Sequence, residues 1–205
     1  MIRAFIFDFG RVISTPKPDQ LFRDYERELG LAPGTINTIM FASEAWQDAL
    51  IGRKTAQEFW AAVGPSLGLH SEQAVERFRR RYEADEAPHE KVIHLIRRLY
   101  GSYKLAVLSN SPPGLATWLA KWRILHLFDV VFCSGDERCA KPDPAAFEAT
   151  LERLGVKPEE AVFIDDTIEH VRAAWVLGLY GILFRCADRL VTDVEKLISG
   201  HVGAT

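Results

Sequence analysis

The chain has 205 residues, 48% of them hydrophobic and 26% charged, with a net charge of −3; it is long enough for one full core plus a modest insertion, with the balance of an ordinary globular protein. It has no basic tract, so neither nucleic acid nor an anionic membrane surface is expected as a partner. No apolar run approaches the ~18 residues that span a bilayer, Asp8 interrupts the first one too early for a signal peptide, and three cysteines without Cys-x-x-Cys spacing suggest reduced thiols in a cytoplasmic protein.

The first element is Phe5-Ile6-Phe7, a buried-strand pattern that ends on Asp8 and is followed at once by Phe9-Gly10-Arg11. From Lys17 to Ala87 the pattern is helical throughout. Leu21, Phe22, Tyr25 and Leu29 recur at helical spacing up to Gly30, Thr55 and Glu58 are spaced as a capping box, and Ser71 is placed to cap a further helix. A different rhythm starts at Pro88. An amphipathic helix over 90–100 leads to a strand over 104–110, then come a helix over 114–126 and a strand over 129–134. Asp143-Pro144 opens a helix that Gly155 stops. The strand 161–166 ends on Asp165-Asp166, and a helix over 167–177, a strand over 180–184 and a closing helix over 191–199 complete the chain. Short apolar strands alternating with helices predict an α/β fold, a Rossmann-like parallel sheet covered by helices on both faces. The expected division is a core of residues 1–14 and 88–205 and an all-helical cap of residues 15–87.

Ligands of an open parallel sheet bind beyond the carboxyl ends of its strands. In chain order those ends carry Asp8, Ser109-Asn110, Lys141 in the loop after the third strand, and Asp165-Asp166. A carboxylate at the end of a core strand is costly without a partner. Three of them at one edge call for a divalent cation, and oxygen-only donors favour a hard one, Mg²⁺. A lysine and a hydroxyl opposite that cation make a pocket for a tetrahedral oxyanion.

Phe7-Asp8-Phe9-Gly10, Leu108-Ser109-Asn110, Ala140-Lys141-Pro142 and Phe163-Ile164-Asp165-Asp166 together resemble the four motifs of the haloacid dehalogenase-like hydrolases. They come in the family's order over essentially the whole chain, and the helical insertion resembles the family's cap. The subgroup with a Phe-Asp-x-Gly first motif, which includes bacterial phosphatases of glucose 1-phosphate, is the most similar. The resemblance implies a Mg²⁺-dependent phosphatase acting on a small-molecule phosphate ester, through an aspartyl-phosphate intermediate on Asp8. Asp8, the Gly10 carbonyl, Asp165 and Asp166 would hold the metal, with Asp165 bound directly or through water. Ser109 and Lys141 would hold the phosphoryl oxygens, with Asn110 and Arg11 as further contacts. Trp46 in the cap either lines the pocket or packs in the cap's own core.

Gly10 departs from the pattern, because most phosphatases of the family carry there the aspartate that serves as general acid and base. Two readings stay open: a phosphatase that draws the proton from water or a cap residue, and a ligand-binding protein without turnover. A third, metal-free 2-haloacid dehalogenation, is disfavoured because those enzymes lack the carboxylate pair. His170, one turn after Asp166, is read as an ordinary packed or surface histidine rather than one orienting the metal loop.

Overall fold

The computed structural model describes residues 1–202. Strands β1 (Ala4–Phe7), β2 (Lys104–Ser109), β3 (Val130–Cys133), β4 (Ala161–Asp165) and β5 (Tyr180–Leu183) form one sheet in the order β3-β2-β1-β4-β5. Every pairing in it is parallel. Side chains alternate across a strand, so β1 sends Phe5 and Phe7 to one face and Ile6 to the other. Phe5 and Phe7 pack with Val107, Ile164 and the helices α6 (Glu90–Leu99) and α11 (Ala187–Val202). Ile6 packs with Leu108, Phe132, Phe163 and the helices α9 (Pro144–Leu154) and α10 (Ile168–Val176). Phe5, Phe7, Phe147 and Phe163 are fully buried. At about 1.5–3 kcal/mol for each large side chain, this burial can carry an unfavourable charge at the strand ends.

Between β1 and α6 lie helices α1 (Asp19–Leu29), α2 (Thr35–Phe41), α3 (Glu44–Leu50), α4 (Ala56–Val63) and α5 (Glu72–Ala84). They share a separate hydrophobic cluster built on Tyr25, Ile36, Met40, Phe59, Trp60 and Phe78. The capping box at Thr55 and Glu58 forms, as does the Ser71 cap. The chain leaves and re-enters the core at one place. Ser14 and Pro88 make an antiparallel bridge, the Thr15 N–H donates to the Ala87 carbonyl (2.8 Å), and Lys17 pairs with Glu86.

Three details differ from the pattern-based expectation. Helix α7 (Leu115–Lys121) stops early, because Arg123 takes φ 57°, and a short turn Leu125–Leu127 follows. Helix α11 begins at Ala187, ahead of the expected Val191. Trp175, on the helix 168–176, is half exposed although an aromatic side chain there would be expected to pack; its indole N–H donates to the Gly181 carbonyl of edge strand β5 (3.1 Å). Among the described residues, no helix is long and apolar enough to cross a membrane.

Candidate active site

Register brings the first pair of site residues together. Phe7 of β1 is level with Ile164 of β4, so Asp8 and Asp165, each one residue further, come side by side. The Asp8 N–H donates to the Ile164 carbonyl at 2.8 Å. Asp166 follows on the same turn, and Asp8, Asp165 and Asp166 each offer an oxygen within 4.8 Å of the others.

Lys141 lies between the first two. Its Nζ donates to Asp8 Oδ1 (2.7 Å) and to Asp165 Oδ2 (2.6 Å) and sits 5.4 Å from the centre of the Phe163 ring. The lysine side chain is 1% exposed, so it has exchanged water entirely for these two carboxylates. What places it is Asn110: the Asn110 side-chain amide donates to the Lys141 carbonyl (2.7 Å), and its oxygen accepts from the Lys141 N–H (2.8 Å). Asn110, expected as a further phosphate contact just beyond β2, has its side chain committed to the lysine backbone, which leaves its own backbone N–H as the group to offer a ligand.

Asp165 has both oxygens engaged. Oδ1 accepts from the Thr167 N–H (2.8 Å), and Oδ2 takes both Lys141 and His170 Nδ1 (3.1 Å). His170 therefore does more than pack on a helix: it orients the carboxylate that anchors the lysine. Asp166 has a different partner, Arg11, whose Nη1 lies 3.4 Å from Asp166 Oδ2.

The charges at the strand ends do not balance locally. Burial pushes Asp8 up to about 6, helped by Asp165 and Asp166 and opposed by Lys141. Burial also acts to raise Asp165, but the hydrogen bonds and charges of His170 and Lys141 outweigh it and hold that carboxyl below its ordinary value. For Lys141 burial acts to lower the pKa, and the two carboxylates reverse this and keep it charged.

The remaining expected residues lie close by. Ser109 ends β2, is 3% exposed, and makes no side-chain hydrogen bond among the described residues. Gly10 has φ −64° and ψ 127°, and a Cβ built on it would meet only Asp8 Oδ2, at 3.7 Å. The backbone there does not require glycine, so the missing side chain is a chemical feature rather than a steric necessity. Trp46 packs edge-on against Phe41 (5.1 Å) and Phe59 (5.4 Å) in the helical cluster. The insertion touches the core at Gly52, where a Cβ would lie 2.2 Å from the Gly135 carbonyl oxygen; Gly135 is the second residue of the short helix α8 (Ser134–Glu137), and its N–H donates to the carbonyl of Ser111, just beyond Asn110.

Sequence reasoning missed the Asn110–Lys141 lock, the Arg11–Asp166 pair and the His170 contact. Only the last had a sequence signal, a helical turn's spacing from Asp166.

A family model described as haloacid dehalogenase-like hydrolase matches residues 2–178. A sesquiterpene phosphatase of Aspergillus oryzae is 27% identical over 197 residues, covering 94% of each chain. Phosphatase MT3486 of Mycobacterium tuberculosis is 31% identical over 162 residues, 73% of this chain and 72% of that one. A HAD family enzyme of Bacteroides thetaiotaomicron, solved with magnesium and inorganic phosphate, superposes with a TM-score of 0.73 at 21% identity over 90% of this chain and 95% of that one; at that identity the likeness is one of fold.

Proposed function

The chain belongs to the haloacid dehalogenase-like hydrolases, and from that premise we propose that it is a Mg²⁺-dependent phosphatase of a small phosphate ester, sugar phosphates among the candidates. The observation that carries the reading is the charge surplus at the strand ends, three carboxylates within 4.8 Å against one buried lysine. Oxygen donors alone, with negative charge in excess, suit Mg²⁺. Asp8, Asp166 and the Gly10 carbonyl would hold it, with Asp165 assisting through water because both its oxygens already accept from protein donors. When bound, the cation offsets the carboxylate charge and polarises the phosphoryl group.

The protein's own part runs through Asp8. Its ionised carboxylate attacks phosphorus, the bond to the ester oxygen breaks, and an aspartyl phosphate forms. Water then attacks the same phosphorus, releasing phosphate and restoring Asp8. Lys141 keeps Asp8 oriented and ionised, and the Ser109 hydroxyl, without a side-chain hydrogen bond among the described residues, and the Asn110 N–H are the donors for phosphoryl oxygens. At Gly10 no carboxyl stands ready to protonate the departing oxygen, so that proton comes from water. The relatives named as phosphatases, and the magnesium and phosphate held by the B. thetaiotaomicron enzyme, support the reading.

The test is phosphate release by the purified chain from a panel of sugar, amino-acid, nucleotide and prenyl phosphates with Mg²⁺, and its loss on chelation. A folded protein that released phosphate from none of them would sink the proposal. Gly10 favours one second reading, a protein that binds phosphate esters without turning them over; calorimetric binding with no product would select it.

A further inference from the structure

The buried cation of the site, Lys141, is shared by Asp8 and Asp165. Asp166 is left to Arg11, whose side chain is 70% exposed and whose Nη1 lies 3.4 Å from Asp166 Oδ2. Arg11 also sits in a left-handed backbone conformation, φ 61°, which L side chains rarely adopt and glycine adopts freely. The loop is built to hold it there. The Arg11 N–H donates to Ser14 Oγ (3.3 Å), Ser14 is itself buried, and the Ser14 N–H closes the turn on the Phe9 carbonyl (2.9 Å). The backbone of residue 11 is thus fixed three residues after Asp8, with its guanidinium on the one carboxylate that Lys141 does not reach.

We propose that Arg11 is the counter-ion of Asp166 in the metal-free site, that an incoming divalent cation displaces it, and that the released guanidinium then binds phosphoryl oxygens of the substrate. This rests on the phosphatase reading above. A cation held by Asp166 stands beside the guanidinium that already pairs with this carboxylate, and the two positive charges repel. Once displaced, Arg11 has no other ion-pair partner among the described residues, and its planar donor set matches a phosphoryl group. Lys141 is poorly suited to this role, being buried and tied to two carboxylates. Cation and phosphate binding are then coupled through one side chain, and the coupling is reciprocal.

The experiment is calorimetric titration of Mg²⁺ into wild type, Arg11→Gln, Arg11→Lys and Arg11→Gly without phosphate, followed by inorganic phosphate into each Mg²⁺-loaded form. An exposed ion pair is worth a factor of about two to five, so Arg11→Gln should bind Mg²⁺ tighter by about that factor. Its phosphate affinity should fall about tenfold, the usual cost of a charged hydrogen bond. Arg11→Lys should keep the wild-type Mg²⁺ affinity and lose only part of the phosphate affinity. Arg11→Gly also relaxes the backbone and should match Arg11→Gln. A difference between Arg11→Gly and Arg11→Gln would assign the effect to the backbone and overturn the proposal. Unchanged Mg²⁺ or phosphate affinity in Arg11→Gln, with wild type binding both, would overturn the Arg11 assignment alone. A wild type that bound no Mg²⁺ would overturn the phosphatase reading and this proposal with it.

Discussion

Two regions of this molecule bury ionisable groups, and they do so by opposite rules. In the helical insertion Tyr25 and Glu26, both buried, each make one side-chain hydrogen bond. The Tyr25 hydroxyl donates to Asp85 Oδ2 at 2.5 Å, and Glu26 Oε1 accepts the Ile36 N–H at 3.1 Å. At the strand ends, three carboxylates crowd within 4.8 Å and share one buried lysine and one exposed arginine. One-to-one pairing settles a structural cost and leaves nothing to react. A surplus of like charge is kept at a cost, which marks the place where a ligand completes the balance.

The sharpest way to break this comparison is to remove the reactive member of the surplus. Asp8→Asn should lower phosphate release by about 10⁴-fold or more while near-ultraviolet circular dichroism stays that of the wild type; appreciable residual turnover would remove Asp8 from its assigned role. Next come matched deletions in the two regions. Lys141→Ala strands two buried carboxylates and should cost about 3–5 kcal/mol in urea unfolding. Tyr25→Phe removes a single hydrogen bond to an exposed carboxylate, and should cost about 1 kcal/mol with kcat unchanged. Equal costs would erase the distinction between surplus and pairing.

A third change adds to the surplus instead of depleting it. Gly10→Asp meets only Asp8 Oδ2 at ordinary contact distance, and should raise kcat at least tenfold, within the ~10²–10⁴ range of general acid–base help. No gain in a correctly folded variant would show that the leaving oxygen already has a proton source. The smallest effect is thermal. Because burial holds Asp8 at about 6, above its ordinary 3.8, its ionised form is the one the fold disfavours. As pH rises from about 4 to 6 the wild type loses stability that a neutral asparagine does not lose. Under chelator at pH 7, Asp8→Asn should melt roughly 2–4 °C higher than wild type, and below pH 4 the gain should vanish. A lower melting point at pH 7 would contradict the assigned sign.

The sheet and most of the candidate site's residues were legible in the sequence because parallel strands buried on both faces leave apolar runs, and the residues that close those runs stand out. Asp8, Ser109 and Asp165-Asp166 could be found in that way, and Lys141 by its place after the third strand. The lock between Asn110 and Lys141 could not, since it joins residues 31 apart through a loop whose course no periodicity records. The Arg11–Asp166 pair depends on a backbone angle that pattern reading assigns to glycine, and the identity of residue 11 argued against it. His170 was visible as a spacing, but its partner depends on which of two adjacent carboxylates turns toward it.

The crossing between core and insertion has a mechanical consequence. The outgoing and returning chains are stitched to each other by the Ser14–Pro88 bridge, by Thr15 with Ala87, and by the His89 N–H on the Ile13 carbonyl at 2.7 Å. A body hung on one strand can swivel about every axis. Hung on two strands tied side by side it keeps a single easy rotation, like a door on its pins, and at the other end Gly52 is where such a door meets its frame.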